Sequence, residues 1–172
     1  MKSCLFWVAG SATLWLAIPA LAQNAAPIAA ATMSISREEA RTIIEAAIAY
    51  ARDNTQSRMA VVVLDNAGHL VSADRMNGAS FHLDKFARGK AFVAVITRQN
   101  SQNAADLGKT RPDRYNGIMN MYPGEVYLAG GGEPIAVDGK LVGAVGVAGL
   151  PEGIDEKAAL AGIAAWTKAR QH

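Results

Sequence analysis

Three side chains of this 172-residue chain have the type and spacing for chemistry: His82, Lys90 and Glu133. His82 opens an apolar-periodic segment, and Phe86 and Lys90 follow at intervals of four, which places all three on one face of a helix. An imidazole at that position can ligate a metal or exchange protons near neutral pH. It can equally be a surface or capping residue of the helix start. Lys90 falls in line with Phe86, Ala87, Ala91 and Ala94. Its ammonium either snorkels to solvent or faces a pocket, where it can hold a carboxylate or phosphate. Glu133 follows Gly130, Gly131 and Gly132, whose missing Cβ atoms let the backbone approach a ligand or another segment closely. A lysine, a histidine and a glutamate of this kind can serve as an anion holder and an acid–base pair.

The stretch from Tyr115 to Tyr122 carries two tyrosines and two methionines, with Met119 between them. These residues give a soft apolar surface with polar tips. They also include types that ligate haem iron. The same composition suits a loop that plugs its own core or covers a subunit interface. Of the other histidines, His69 follows a turn at the start of a strand, where a solvated position is expected, and His172 is the last residue. Three histidines in all do not make a multi-histidine zinc site.

Several chemistries lack their residues. The triple glycine has neither the Lys-Ser/Thr of a P-loop nor the spacing of a dinucleotide fingerprint. No serine sits in a nucleophile elbow, and no paired carboxylates stand out, so no catalytic residue is assigned. The lone cysteine, Cys4, lies in the first residues, which leaves the rest of the chain without a disulfide or a thiolate metal site. A formal net charge of +2 argues against nucleic acid as the main partner.

The elements that must position these residues follow from the pattern. Residues 1–22 read as a signal peptide: Lys2, an apolar run from Leu5 to Ile18, and a small-x-small cleavage site at Ala20-Leu21-Ala22. That run is too short for a comfortable membrane span, so no stable span is expected after cleavage. Residues 23–33 read as a disordered Ala-rich linker, and residues 34–172 as a single domain. The expected location is periplasmic or secreted.

Ser36-Arg37-Glu38-Glu39 is a capping box, and apolar residues from Ala40 to Ala51 follow at helical spacing, which predicts a helix from about Ser36 to Asn54. Met59–Leu64 and His69–Met76 read as a hairpin around Asp65-Asn66-Ala67-Gly68. A second helix is expected from about Leu83 to Arg98. A helical turn can start near Ser101, and the remainder to Tyr122 reads as a long loop. Strands are expected near Glu125–Ala129, Glu133–Val137 and Lys140–Ala148. Asp138-Gly139 supplies a two-residue hairpin turn, and the apolar run after Lys140 predicts a strand covered on both faces. A last helix runs from about Asp155 to Arg170. Hairpin-joined strands make the sheet largely antiparallel, and five strands with helices on the faces give an α+β layered domain. The first and last helices, both half-apolar, can share one face.

Taken together, certain segments resemble the GlcG/HbpS family, the haem-binding-protein-like group also found as the C-terminal domain of some corrinoid adenosyltransferases. They are Val63–Val71, Arg75–Ala79, Lys90-Ala91, Gly131–Ile135, Asp138–Val147, Asp155-Glu156 and Ala161–Ile163. The resemblance spans about Ser36 to Ala169. It implies a profilin-like fold with a five-stranded antiparallel sheet between helices, homo-oligomers and, in some members, binding of haem or a corrinoid-related ligand. Val93 and Ala148 stand where members often carry threonine and serine. On this resemblance the chain is expected to be an exported, non-enzymatic binding protein with haem as its ligand. His82 would ligate the iron, Tyr115, Met119 and Tyr122 would line the ring or supply a second ligand, Lys90 or Arg88 would pair a propionate, and Gly131, Gly132 and Glu133 would border the pocket. The alternatives are an accessory protein or weak enzyme acting on a small carboxylate, hydroxy acid or corrinoid, and a purely structural homo-oligomer.

Overall fold

The computed structural model describes residues 34–171. The signal peptide and linker read at residues 1–33, and His172, lie outside the described residues. The elements run α1 (Arg37–Asn54), β1 (Ala60–Asp65), β2 (Leu70–Arg75), α2 (Leu83–Thr97), α3 (Ser101–Thr110), α4 (Pro112–Met121), β3 (Gly132–Val137), β4 (Lys140–Ala148) and α5 (Ile154–Ala169). Ser36 caps α1 as its spacing requires: its hydroxyl accepts from Glu39 N, and the Glu39 carboxylate accepts from Ser36 N at 2.9 Å.

The sheet has the order β2-β1-β4-β3, with every neighbouring pair antiparallel. Side chains of the central strand β1 alternate between its two faces. Val61 and Val63 meet α1 and α5, whereas Ala60, Val62 and Leu64 meet α2. β4 is buried from Val142 to Ala148, as expected of a strand with helices on both faces. The β3–β4 hairpin turns through Asp138 (φ 49°) and Gly139 (φ 74°), the left-handed pair that this tight turn demands. α1 and α5 share a core of Ile43, Ile44, Ala158, Ala159 and Trp166 on one face, as their half-apolar patterns imply.

On the other face α2 lies directly on the strand backbone. A Cβ on Gly146 would stand 2.7 Å from Ala91 N and would also strike the Ala87 carbonyl oxygen. No side chain separates helix from sheet there, and the alanine-rich face of α2 is what allows the approach.

Two expectations need correction. The described residues form a four-stranded sheet, not five, because the segment at Glu125–Ala129 is not a strand. Its backbone lies against α2: a Cβ on Gly89 would be 2.7 Å from Tyr127 N. The Ala129 carbonyl accepts from Ser101 Oγ. With its backbone packed on α2 at Gly89 and its Ala129 carbonyl held by Ser101, the segment does not pair with the sheet edge. The long loop expected after Ser101 is instead a helix pair. Asn100 caps α3 by accepting from Asn103 N at 3.1 Å, and Pro112 occupies the first turn of α4, where its missing N–H costs nothing.

Candidate functional site

α2 presents His82, Phe86 and Lys90 in one column, and the column continues onto the neighbouring segment. The His82 ring stands 4.9 Å from Phe86 and 5.4 Å from Phe81, which is 85% exposed. Phe86 in turn stacks on Tyr127 at 4.3 Å with the planes 4° apart. Lys90 Nζ lies 6.0 Å from the centre of the Tyr127 ring. His82 occupies the N-cap of α2 but makes no capping hydrogen bond. Its Nδ1 is 3.3 Å from Ser80 Oγ, and its Nε2 has no partner among the described residues. A half-exposed imidazole with one nitrogen oriented and the other open has the donor arrangement of a metal ligand.

Lys90 ends in a buried ion pair. Its Nζ is 2.6 Å from Asp155 Oδ2 at the start of α5, and it donates to the Val147 carbonyl at 2.9 Å. The residue is only 4% exposed. α2 and α5 lie on opposite faces of the sheet, so the side chain must pass the sheet end to reach its partner. Gly131 (φ +108°) opens that passage: a Cβ there would sit 2.7 Å from Asp155 Cβ and 3.2 Å from Lys90 Nζ. Asp155 Oδ1 also accepts from Leu150 N at 2.9 Å. Burial pushes the Asp155 carboxyl up, and the Lys90 ammonium works against that rise. Gly132 N donates to Ser101 Oγ at 2.8 Å, which fixes the glycine-rich segment against α3.

Glu133 is buried on the other side of β3. It pairs with Val145 in register and shares its face with Ile135, toward α1 and α5. Its Oε1 has no hydrogen-bond partner among the described residues. Burial first, and then the charge of Glu156, push its carboxyl from 4.5 up to about 7. It is therefore poised to hold or release a proton near neutrality. Lys90 does not pair with it; the lysine is committed to Asp155.

Tyr115 and Met119 belong to α4, and Tyr122 is its C-cap. Tyr115 packs on Gly108 of α3, and Tyr122 meets Phe92 edge-on at 5.3 Å. Phe92 is ten residues beyond His82, roughly 15 Å along α2. The structure thus separates the expected residues into four places: His82 in the aromatic column, Lys90 with Gly131 at the sheet end, Glu133 buried toward α1 and α5, and Tyr115, Met119 and Tyr122 on and just after α4. A cleft of about 350 Å³ opens beside the second place, walled by Lys90, Gln102, Gly130, Asp155 and Glu156. The partners that sequence reasoning missed are Asp155, Tyr127 and Ser80. Asp155 stood out as a helix start and as part of the Asp155-Glu156 segment of the family resemblance, not as a partner of Lys90, which lies 65 positions away, beyond any local pattern.

Residues 35–164 match the family described as "Haem degrading protein HbpS-like". The chain belongs to the HbpS-like family. It is similar to Protein GlcG of Escherichia coli K12, 30% identical over 119 residues that cover 66% of this chain and 80% of GlcG. A match of 30% identity to an uncharacterized 15.0 kDa protein of Citrobacter freundii covers 51% of this chain and spans 61% of that relative. Among solved structures, a double mutant of Streptomyces reticuli HbpS superposes with a TM-score of 0.68 at 27% identity, over 91% of this chain and 97% of that one. The PduOC:heme complex superposes with a TM-score of 0.69 at 26% identity, over 77% of this chain and 94% of the other. The HbpS-like chain thus shares its α+β architecture with a protein whose structure holds haem.

Proposed function

We propose that this HbpS-like chain is an exported, non-enzymatic haem-binding protein that takes the iron on His82. The observation that carries the reading is the His82 ring itself: Nδ1 set by Ser80, Nε2 open, and apolar rings at 4.9 and 5.4 Å to flank a porphyrin. Lys85, exposed and one turn along α2 from His82, is the cation available to a propionate. Lys90 does not serve there, because Asp155 holds it. Haem, when bound, would supply a redox-active, ligand-exchanging iron; His82 would hold that iron, and Phe81 and Phe86 would give the ring an aromatic flank. Export is supported by the leader pattern of residues 1–22, and self-association by the exposure of Phe81, Met121 and Tyr127.

The test is a haem titration of residues 23–172 followed in the Soret region, beside His82→Ala. Saturable binding near one haem per chain, with a shifted and weaker band in the variant, is the expected result. Superimposable spectra would remove His82 from the site, and binding no tighter than to an unrelated protein would end the haem reading. The family's description favours a second reading, haem breakdown. Loss of the Soret band on incubation with a reductant in air, faster than for free haem, would favour it.

A further inference from the structure

The C-terminal end of α2 borders a concavity that the haem reading does not use. Ile96 of α2, Leu107 of α3, Ile118 of α4 and Tyr122 at the end of α4 give an open cleft of about 420 Å³ an apolar floor. That floor continues into the small core of Val93, Ala104 and Val126. The volume suits a small organic molecule.

The rim is polar and one-sided in charge. Arg114 lines the cleft, and its guanidinium makes no hydrogen bond or ion pair among the described residues. The reason is local: Asp113, the adjacent acid, is held at two points by Arg111, at 3.1 and 3.2 Å. Gln99 and Asn103 complete the rim with amides 3.4 Å apart. No acidic side chain lines the cleft among the described residues. The wall that carries Arg114 is also loosely held, since α4 buries none of its own residues. An element with so few buried contacts can shift to admit a ligand.

We propose that this cleft binds a small organic anion with an apolar body, an aromatic or short-chain carboxylate. The body rests on Ile96, Ile118 and Tyr122, and the carboxylate is taken by the Arg114 fork. This site is distinct from the His82 face, from which Ile96 stands roughly 21 Å along α2.

Calorimetric titration of the haem-free chain with octanoate, 4-phenylbutyrate and the neutral 1-octanol tests the proposal. A carboxylate should saturate at one per chain, and Arg114→Gln should weaken it by about tenfold or more, the loss expected for one charge-assisted pair. His82→Ala should bind as the wild type does, and unliganded Arg114→Gln should melt close to the wild-type temperature, because the Arg114 guanidinium makes no hydrogen bond among the described residues and loses only its solvent-screened attraction to the exposed Asp113. Octanol binding as tightly as octanoate, undiminished binding to Arg114→Gln, or no saturation by either carboxylate would each overturn it. None of these outcomes bears on haem binding at His82.

Discussion

Glu133→Gln isolates the energetic cost of one buried carboxyl. In the folded chain the group sits under α5 at 6% exposure, with Oε1 unpartnered and its titration raised from 4.5 to about 7. A folded-state value above the unfolded one means that the folded chain binds the proton more tightly. The stabilisation is therefore complete below the unfolded value, lost as pH rises through the folded value, and flat above it. A rise of that size corresponds to about 3 kcal/mol between the two limits. Urea unfolding at about pH 5 and about pH 8.5 reads most of that loss, since at about pH 5 the unfolded carboxyl is already partly ionised. Asp155 is raised as well and adds to the wild-type slope, so the quantity of interest is the difference between wild type and variant. Glutamine cannot ionise. At the higher pH it should make the chain more stable than wild type by roughly 1–3 kcal/mol, after the cost of its own poorly partnered amide. At the lower pH the advantage should vanish or reverse. Parallel losses of stability in wild type and variant across this range would refute the assignment of a raised carboxyl to Glu133.

The Lys90–Asp155 pair makes a complementary prediction. Lys90→Met leaves an uncompensated buried acid and should cost about 3–5 kcal/mol, much of which the double change with Asp155→Leu should return; urea unfolding checks both. Gly131→Ala meets a left-handed φ and a blocked passage at once, and should destabilise by about 2 kcal/mol or more in the same assay. Ser36→Ala removes the capping hydroxyl of α1 and should cost about 1 kcal/mol, measured by thermal melting near neutral pH.

Sequence reasoning located what local rules govern. The capping box of α1, the Asp138-Gly139 turn and the doubly covered β4 are each determined by residues a few positions apart, and each is where the pattern places it. The Ser101–Tyr122 stretch misled because its composition resembles a loop, while the two signals that make it helical, the Asn100 cap of α3 and Pro112 in the first turn of α4, are single residues at the helix starts. The expected strand at Glu125–Ala129 failed for a tertiary reason: Gly89 on α2 admits its backbone, a contact no window of residues reveals. The site was legible in part. Phe86 and Lys90 share a face with His82 as their spacing says, but whether Lys90 snorkels or turns inward depends on Asp155, brought close only by the folded sheet.

The seating of α2 on bare strand backbone at Gly146 has a mechanical consequence. Sites influence one another when an element between them has two packings of similar energy. Where α2 crosses Gly146, with no side chain between helix and strand to re-rotamer, it has one, and Val62 and Leu64 pack against it on the neighbouring strand. It behaves as a spar that fixes the spacing of its ends and transmits no rotation between them. Ligands at the His82 end and at the Arg114 cleft should therefore occupy the molecule as strangers, each with the affinity it shows alone.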